Sequence, residues 1–131
     1  MNERAALDTN VLVYALNTDA GEKHETAKEL VLDARQNDTA VPLQCLGECY
    51  NVVLTKNRAD ADTARTFLEE LKHGPFTILA AGTEAFNNAV QSEERFWDRL
   101  IEVTVLNHGY GTLYTENEDD FESIETVNPF E

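Results

Sequence analysis

Short apolar runs alternate along this chain with stretches whose apolar residues recur every three or four positions, and that alternation most constrains its fold. A few apolar residues between turn formers suit a buried strand, whereas recurrence at i, i+3, i+4 and i+7 suits a helix with one buried face. Strands are expected at Arg4–Leu7, Thr39–Pro42, Phe76–Ala80, Gly111–Tyr114 and Thr126–Val127. Helical spacing is carried by Ala27, Leu30, Val31 and Ala34 within Glu22–Gln36, then by Leu46, Cys49, Tyr50 and Val53. It recurs in Ala64, Phe67, Leu68 and Leu71, in Phe86, Ala89 and Val90 behind a Thr83 cap, and in Trp97, Leu100, Ile101 and Thr104. Asp8-Thr9-Asn10 resembles a cap that starts a helix over Val11–Leu16, and Gly74-Pro75 punctuates the chain before its third strand. Strands separated by helices predict an α/β fold with a mainly parallel sheet and helices on both faces. At 131 residues the length fits one domain over 1–131.

Charge narrows the partners. Twenty-five acids against ten bases leave a net charge of −15, which argues against unaided binding to nucleic acid or an anionic membrane. The acids are spread along the chain, and only four of the bases are Lys. Such a composition resembles the solvating surface of proteins from salt-loving organisms. No apolar run reaches the ~18–20 residues of a membrane helix. The charged start, with Glu3, Arg4 and Asp8, does not suit a secretory signal. A cytoplasmic location is therefore expected. Cys45 and Cys49 stand one helical turn apart and His24, His73 and His108 are scattered, so reduced core cysteines are expected rather than a zinc site.

In an open parallel sheet, functional residues gather beyond the carboxyl ends of the strands. Asp8 directly follows the first strand, and Glu116-Asn117-Glu118-Asp119-Asp120 follows the fourth. An Asp at that place can equally be a helix N-cap, and an acidic run is most often a solvated loop. On a helical projection from Trp97, Asp98 falls at roughly 100°, beside the apolar stripe. A carboxylate there is half-buried and carries a desolvation cost unless partnered. Glu48 lies nearly opposite its helix's apolar stripe, so periodicity makes it an exposed charge. Carboxylates converging at one sheet end need a compensating charge. Oxygen-only ligands favour Mg²⁺ or Mn²⁺, and such an ion can activate water and clamp a phosphoryl oxygen.

Four segments, taken in order, resemble the PIN-domain ribonucleases, and especially the small VapC-type toxins of toxin–antitoxin pairs. They are Ala6-Leu7-Asp8-Thr9-Asn10-Val11-Leu12, the helix carrying Glu48, Phe96-Trp97-Asp98-Arg99-Leu100-Ile101, and Thr112 through Phe130. The resemblance spans essentially the whole chain. It implies a three-layer α/β/α PIN-like domain that cuts RNA with Mg²⁺ or Mn²⁺, forms a homodimer and is neutralised by a cognate antitoxin. It also implies roles residue by residue. Asp8 and Asp98 would ligate metal, Glu48 would complete the acidic cluster, and Thr9, Asn10 and Thr115 would support the site. One position departs from the pattern: Asn117 stands where the family has a fourth acid. Asn117 offers a neutral oxygen and Asp120 the missing charge, so both belong to the candidate catalytic set.

Two other readings compete. Haloacid-dehalogenase-like phosphatases also place an Asp after their first strand, but they need a second acid two residues on, where this chain has Asn10. A PIN-like fold retained as a binding or antitoxin-partner module, with weak or no nuclease activity, would accommodate both Asn117 and the acidic surface. Gly109-Tyr110-Gly111 precedes a strand instead of opening a helix, so it does not qualify as a phosphate loop.

Overall fold

A computed structural model describes residues 4–55, 60–74 and 76–131; Glu3 and Pro75, used above, lie outside them. Five strands form one sheet: β1 (Ala5–Leu7), β2 (Thr39–Pro42), β3 (Thr77–Leu79), β4 (Thr112–Tyr114) and β5 (Glu125–Val127). Their order is β3-β2-β1-β4-β5, and every neighbouring pair is parallel. All of β1 and β2 is buried, as expected of central strands covered on both faces. β5 closes the edge with its first and third residues exposed.

The connections carry α1 (Thr9–Leu16), α2 (Glu22–Leu32), α3 (Ala34–Asn37), α4 (Leu43–Thr55), α5 (Ala61–His73), α6 (Thr83–Val90) and α7 (Phe96–Asn107). From β1 to β3 the chain steps one way across the sheet; it then returns past β1 to β4 and steps outward to β5. Right-handed crossovers therefore put α1–α5 on one face and α6–α7 on the other. The packing agrees: α1 lies on α2 and α4, α4 on α5, and α6 on α7. The direction of travel reverses between β1 and β4, so the strand ends there open the crevice where ligands of such sheets bind. Among the described residues no helix is long and apolar enough to cross a membrane.

Several local expectations change. The helical stretch from Glu22 breaks at Asp33, which ends α2 and precedes the short α3. Asp38 then takes a left-handed conformation (φ 48°), one that Asp tolerates better than most residues. Its carboxylate accepts from Arg4 Nε at 3.0 Å and Tyr110 OH at 3.1 Å, tying this turn to the start of β1. Gly82, not Thr83, occupies the N-cap of α6 and offers no side-chain cap. On α6 the buried residues are Ala85 and Ala89, while Phe86 and Val90 are half-exposed. Small alanines let α6 and α7 approach closely, which turns the larger residues outward. Trp97, the first member of the expected α7 stripe, is 61% exposed. Burial begins at Leu100 and then runs unbroken to Val105, as expected of a helix held between sheet and neighbour.

Candidate active site at the β1/β4 switch point

Register delivers the first acid. Leu7 pairs with Tyr114, so Asp8 and Thr115 leave the sheet side by side, with Asp8 N–H donating to Tyr114 O at 3.0 Å. Asp8 is also the N-cap of α1: its Oδ1 accepts from Thr9 N–H at 2.8 Å. Cap and candidate metal ligand are therefore one residue. Its Oδ2 accepts from Thr115 Oγ1 at 2.8 Å, and Cys45 Sγ lies 3.7 Å from Oδ1 as a weak donor. Burial pushes the Asp8 carboxyl above its usual range, and the Glu48 charge adds to that. The hydrogen bonds from Thr115 and Thr9 oppose the shift without cancelling it. Burial and the Asp8 charge hold the Cys45 thiol well above its ordinary pKa, so it is a neutral donor here and not a thiolate ligand.

Glu48 differs from its expected exposure. It is half-buried, because α1 packs across α4 and covers that side of the helix. Thr9 Oγ1 donates to Glu48 Oε1 at 2.8 Å, so Thr9 links the first acid, through its backbone, to the second, through its side chain. The second α1 residue, Asn10, is half-buried and takes no part in these bonds.

Asp98 occupies the first turn of α7 and is half-buried, as the projection required. Burial raises its pKa, followed by the charges of Asp120, Asp8 and Glu48; Arg95 opposes them. Asp98 thus feels three other carboxylates across the end of the sheet. Asp120 ends a short 3₁₀ turn (Glu118–Asp120) and is exposed. Asn117 enters the network through its main chain, its N–H donating to Thr115 Oγ1 at 3.0 Å, while the residue is exposed.

Sequence reasoning did not single out Arg95, Glu102 or the partners of Glu116. Glu116 accepts from Tyr14 OH at 2.8 Å and from Lys23 Nζ at 2.5 Å. Burial raises its pKa, but those two hydrogen bonds outweigh it and hold the carboxyl below the usual range. Its charge is already matched. Arg95 is the N-cap of α7, and Glu102 stands at i+4 from Asp98 on the helix, a spacing that places the two side by side.

The donor set suits a hard cation. Every candidate ligand is a carboxylate or amide oxygen, the nearby thiol is neutral, and Asp8 and Asp98 are held above their usual range by burial and by neighbouring carboxylates. A bound Mg²⁺ or Mn²⁺ would relieve that repulsion, whereas zinc sites draw on imidazole or thiolate. With the side chains as they stand, no three Asp, Glu, His or Cys residues among the described ones converge closely enough to enclose a metal.

Solved structures with this fold include VapC20 of Mycobacterium tuberculosis, a sarcin–ricin-loop-cleaving toxin. It superposes with TM-score 0.70 at 16% identity, over 92% of this chain and 98% of that one. A toxin–antitoxin complex from Klebsiella pneumoniae gives 0.67 at 23% identity, over 97% and 98%. VapBC2 of Rickettsia felis, bound to a fragment of promoter DNA, gives 0.64 at 18%, over 95% and 97%. No curated protein sequence matches the chain. The PIN-domain model matches residues 5–126, nearly the full length. The chain belongs to the PIN-domain family.

Proposed function

We propose that this PIN domain is a metal-dependent endoribonuclease and the toxin of a type II toxin–antitoxin pair. The observation that carries this reading is that Thr9 bridges the buried Asp8 to Glu48 at the sheet's switch point, while burial and neighbouring carboxylates raise the pKa of Asp98 on α7. Asp8 and Asp98 are the metal ligands. Glu48, held by Thr9, completes the acidic set, and Asp120 supplies the charge that Asn117 lacks. Thr115 orients Asp8, and Asn10 lies beside the site without bonding to it. A bound Mg²⁺ or Mn²⁺ would lower the pKa of an attacking water and neutralise a phosphate oxygen. Burial and neighbouring carboxylates disfavour the charged forms of Asp8 and Asp98, a cost that a cation offsets.

The neighbours' descriptions as toxins and toxin–antitoxin complexes support an RNA substrate and an antitoxin partner. A cytoplasmic location fits an RNA substrate. A homodimer would cover the apolar patch of Phe86, Val90, Phe96 and Trp97, in which Phe96 packs edge-on against both Phe86 and Trp97. The diffuse acidic surface fits a high-salt interior, where screening lets RNA approach. A second reading, a PIN module without nuclease activity, is favoured by the exposed Asn117 and by the open arrangement of the acids.

The deciding experiment is cleavage of structured RNAs with and without Mn²⁺, at low and molar salt. Metal-dependent cleavage that is lost in Asp8→Asn and Asp98→Asn is expected. Full activity in both variants would overturn the site, and no cleavage under any condition would favour the inactive module.

A further inference from the structure

Asp120 ends an exposed turn that is bonded back to the start of α7, where Asp98 lies. Something must hold that turn against α7. Arg95 is the N-cap of α7, three residues before Asp98, and Glu102 lies one turn after Asp98 on the helix, so the two flank it. Upstream of Asp98, Arg95 donates to the Asp120 main-chain oxygen and to the Glu122 carboxylate. Downstream, Glu102 Oε2 accepts three consecutive main-chain N–H groups: Glu122 at 2.8 Å, Ser123 at 2.6 Å and Ile124 at 3.1 Å.

Glu102 is 1% exposed. A carboxylate so deeply buried persists only with partners. Its other oxygen accepts from Arg99 Nη1 at 2.5 Å, and Arg99 continues to Ser123 Oγ at 3.0 Å and Asn88 Oδ1 at 3.1 Å. A curved run of N–H groups around one anion is a fixed geometry with little slack. The segment is thus fastened on both sides of Phe121, by a cation before Asp98 and an anion after it.

We propose that Arg95 and Glu102 are positioning residues, a double clamp by which α7 sets the Asp120 turn opposite its own Asp98. This rests on the nuclease reading above and adds the means by which the fourth acid is held. The helix that carries one acid thereby fixes the place of another that follows it by 22 residues.

Arg95 separates the clamp from simple electrostatics. Removing a cation beside Asp98 strengthens Mn²⁺ binding if charge alone matters, and weakens it if the clamp matters. The test is Mn²⁺ titration calorimetry on wild type, Arg95→Met, Glu102→Gln, Asp120→Asn and the Glu102→Gln/Asp120→Asn double variant, below each protein's unfolding range. Amide hydrogen exchange on the same metal-free proteins accompanies it.

Expected are about tenfold weaker Mn²⁺ binding in Arg95→Met and Glu102→Gln, and faster exchange at residues 122–124. Glu102→Gln should have almost no further effect in the Asp120→Asn background. Tighter binding in Arg95→Met, or an equal Glu102→Gln effect with and without Asp120, overturns the clamp. So does faster exchange with unchanged affinity, which leaves Glu102 a structural anchor only. If Glu102→Gln does not fold, Arg95→Met decides alone, since that side chain is only half-buried. Wild-type protein that binds no Mn²⁺ overturns the nuclease reading itself and the positioning role with it, while the exchange data still show whether Glu102 holds the turn.

Discussion

In the proposed site, Asp8 meets opposite demands of stability and metal binding. As N-cap it stabilises α1, yet burial and Glu48 raise its carboxyl above the usual range. A raised carboxyl binds more protons folded than unfolded. Metal-free stability therefore declines as pH climbs from the unfolded value, about 3.9, through the folded one. Asp8→Asn removes that decline. Its Tm advantage over wild type should grow from about pH 4 toward neutrality, reaching a few degrees, and should shrink or reverse with saturating Mn²⁺. Thermal melts at several pH values, with chelator and with Mn²⁺, measure this; a pH-independent difference would refute it. Thr115→Val tests the same site from the other side. Thr115 is fully buried and donates to Asp8 Oδ2, so its loss strands a buried carboxylate oxygen at a cost of about 1–3 kcal/mol. Denaturant unfolding should report that loss together with reduced cleavage.

At the scale of elements, the short strands are held by packing more than by their ladders. β4 has three residues, and its middle one, Leu113, is fully buried. Leu113→Ala should destabilise by about 3 kcal/mol, and should depress cleavage beyond that loss because β4 delivers Thr115 to Asp8. Activity measured well below Tm separates the two effects. Strand positions were legible in the sequence because burial on both faces leaves apolar runs between turn residues: Thr39–Pro42 lies where it was expected, and the others differ by a residue or two. Which face of a helix is buried was less legible. Phe86 and Trp97 were expected inside and lie outside, because a 100° step per residue makes a one-position shift enough to turn a side chain out.

For the whole molecule, charge is the controlling quantity. A net charge of −15 destabilises the folded state through self-repulsion, and raising salt from about 0.1 M to 1 M shortens the screening length from about 10 Å to 3 Å. Tm should therefore rise with KCl, and metal-dependent cleavage should persist at molar salt; a Tm that falls across the series would refute this. Among the described residues most cations are in ion pairs, from Arg4–Asp38 to Arg99–Glu102, so few remain for phosphate. If the apolar patch is a dimer face, Trp97→Glu should yield a monomer by sedimentation while the metal-free fold persists.

The sequence by itself determined the α/β alternation, the placing of Asp8 at a strand end and the half-buried setting of Asp98. These follow from periodicity and from the chemistry of strand ends, both local along the chain. Only the tertiary structure decided that Glu48 is drawn in by α1, that Glu116 is ion-paired with Lys23 and hydrogen-bonded by Tyr14, and that Glu102 gathers the N–H groups of residues 122–124. Each of these depends on contacts between residues 20 to 102 positions apart in the chain. Such contacts are set by the order of strands in the sheet, and no local pattern encodes that order.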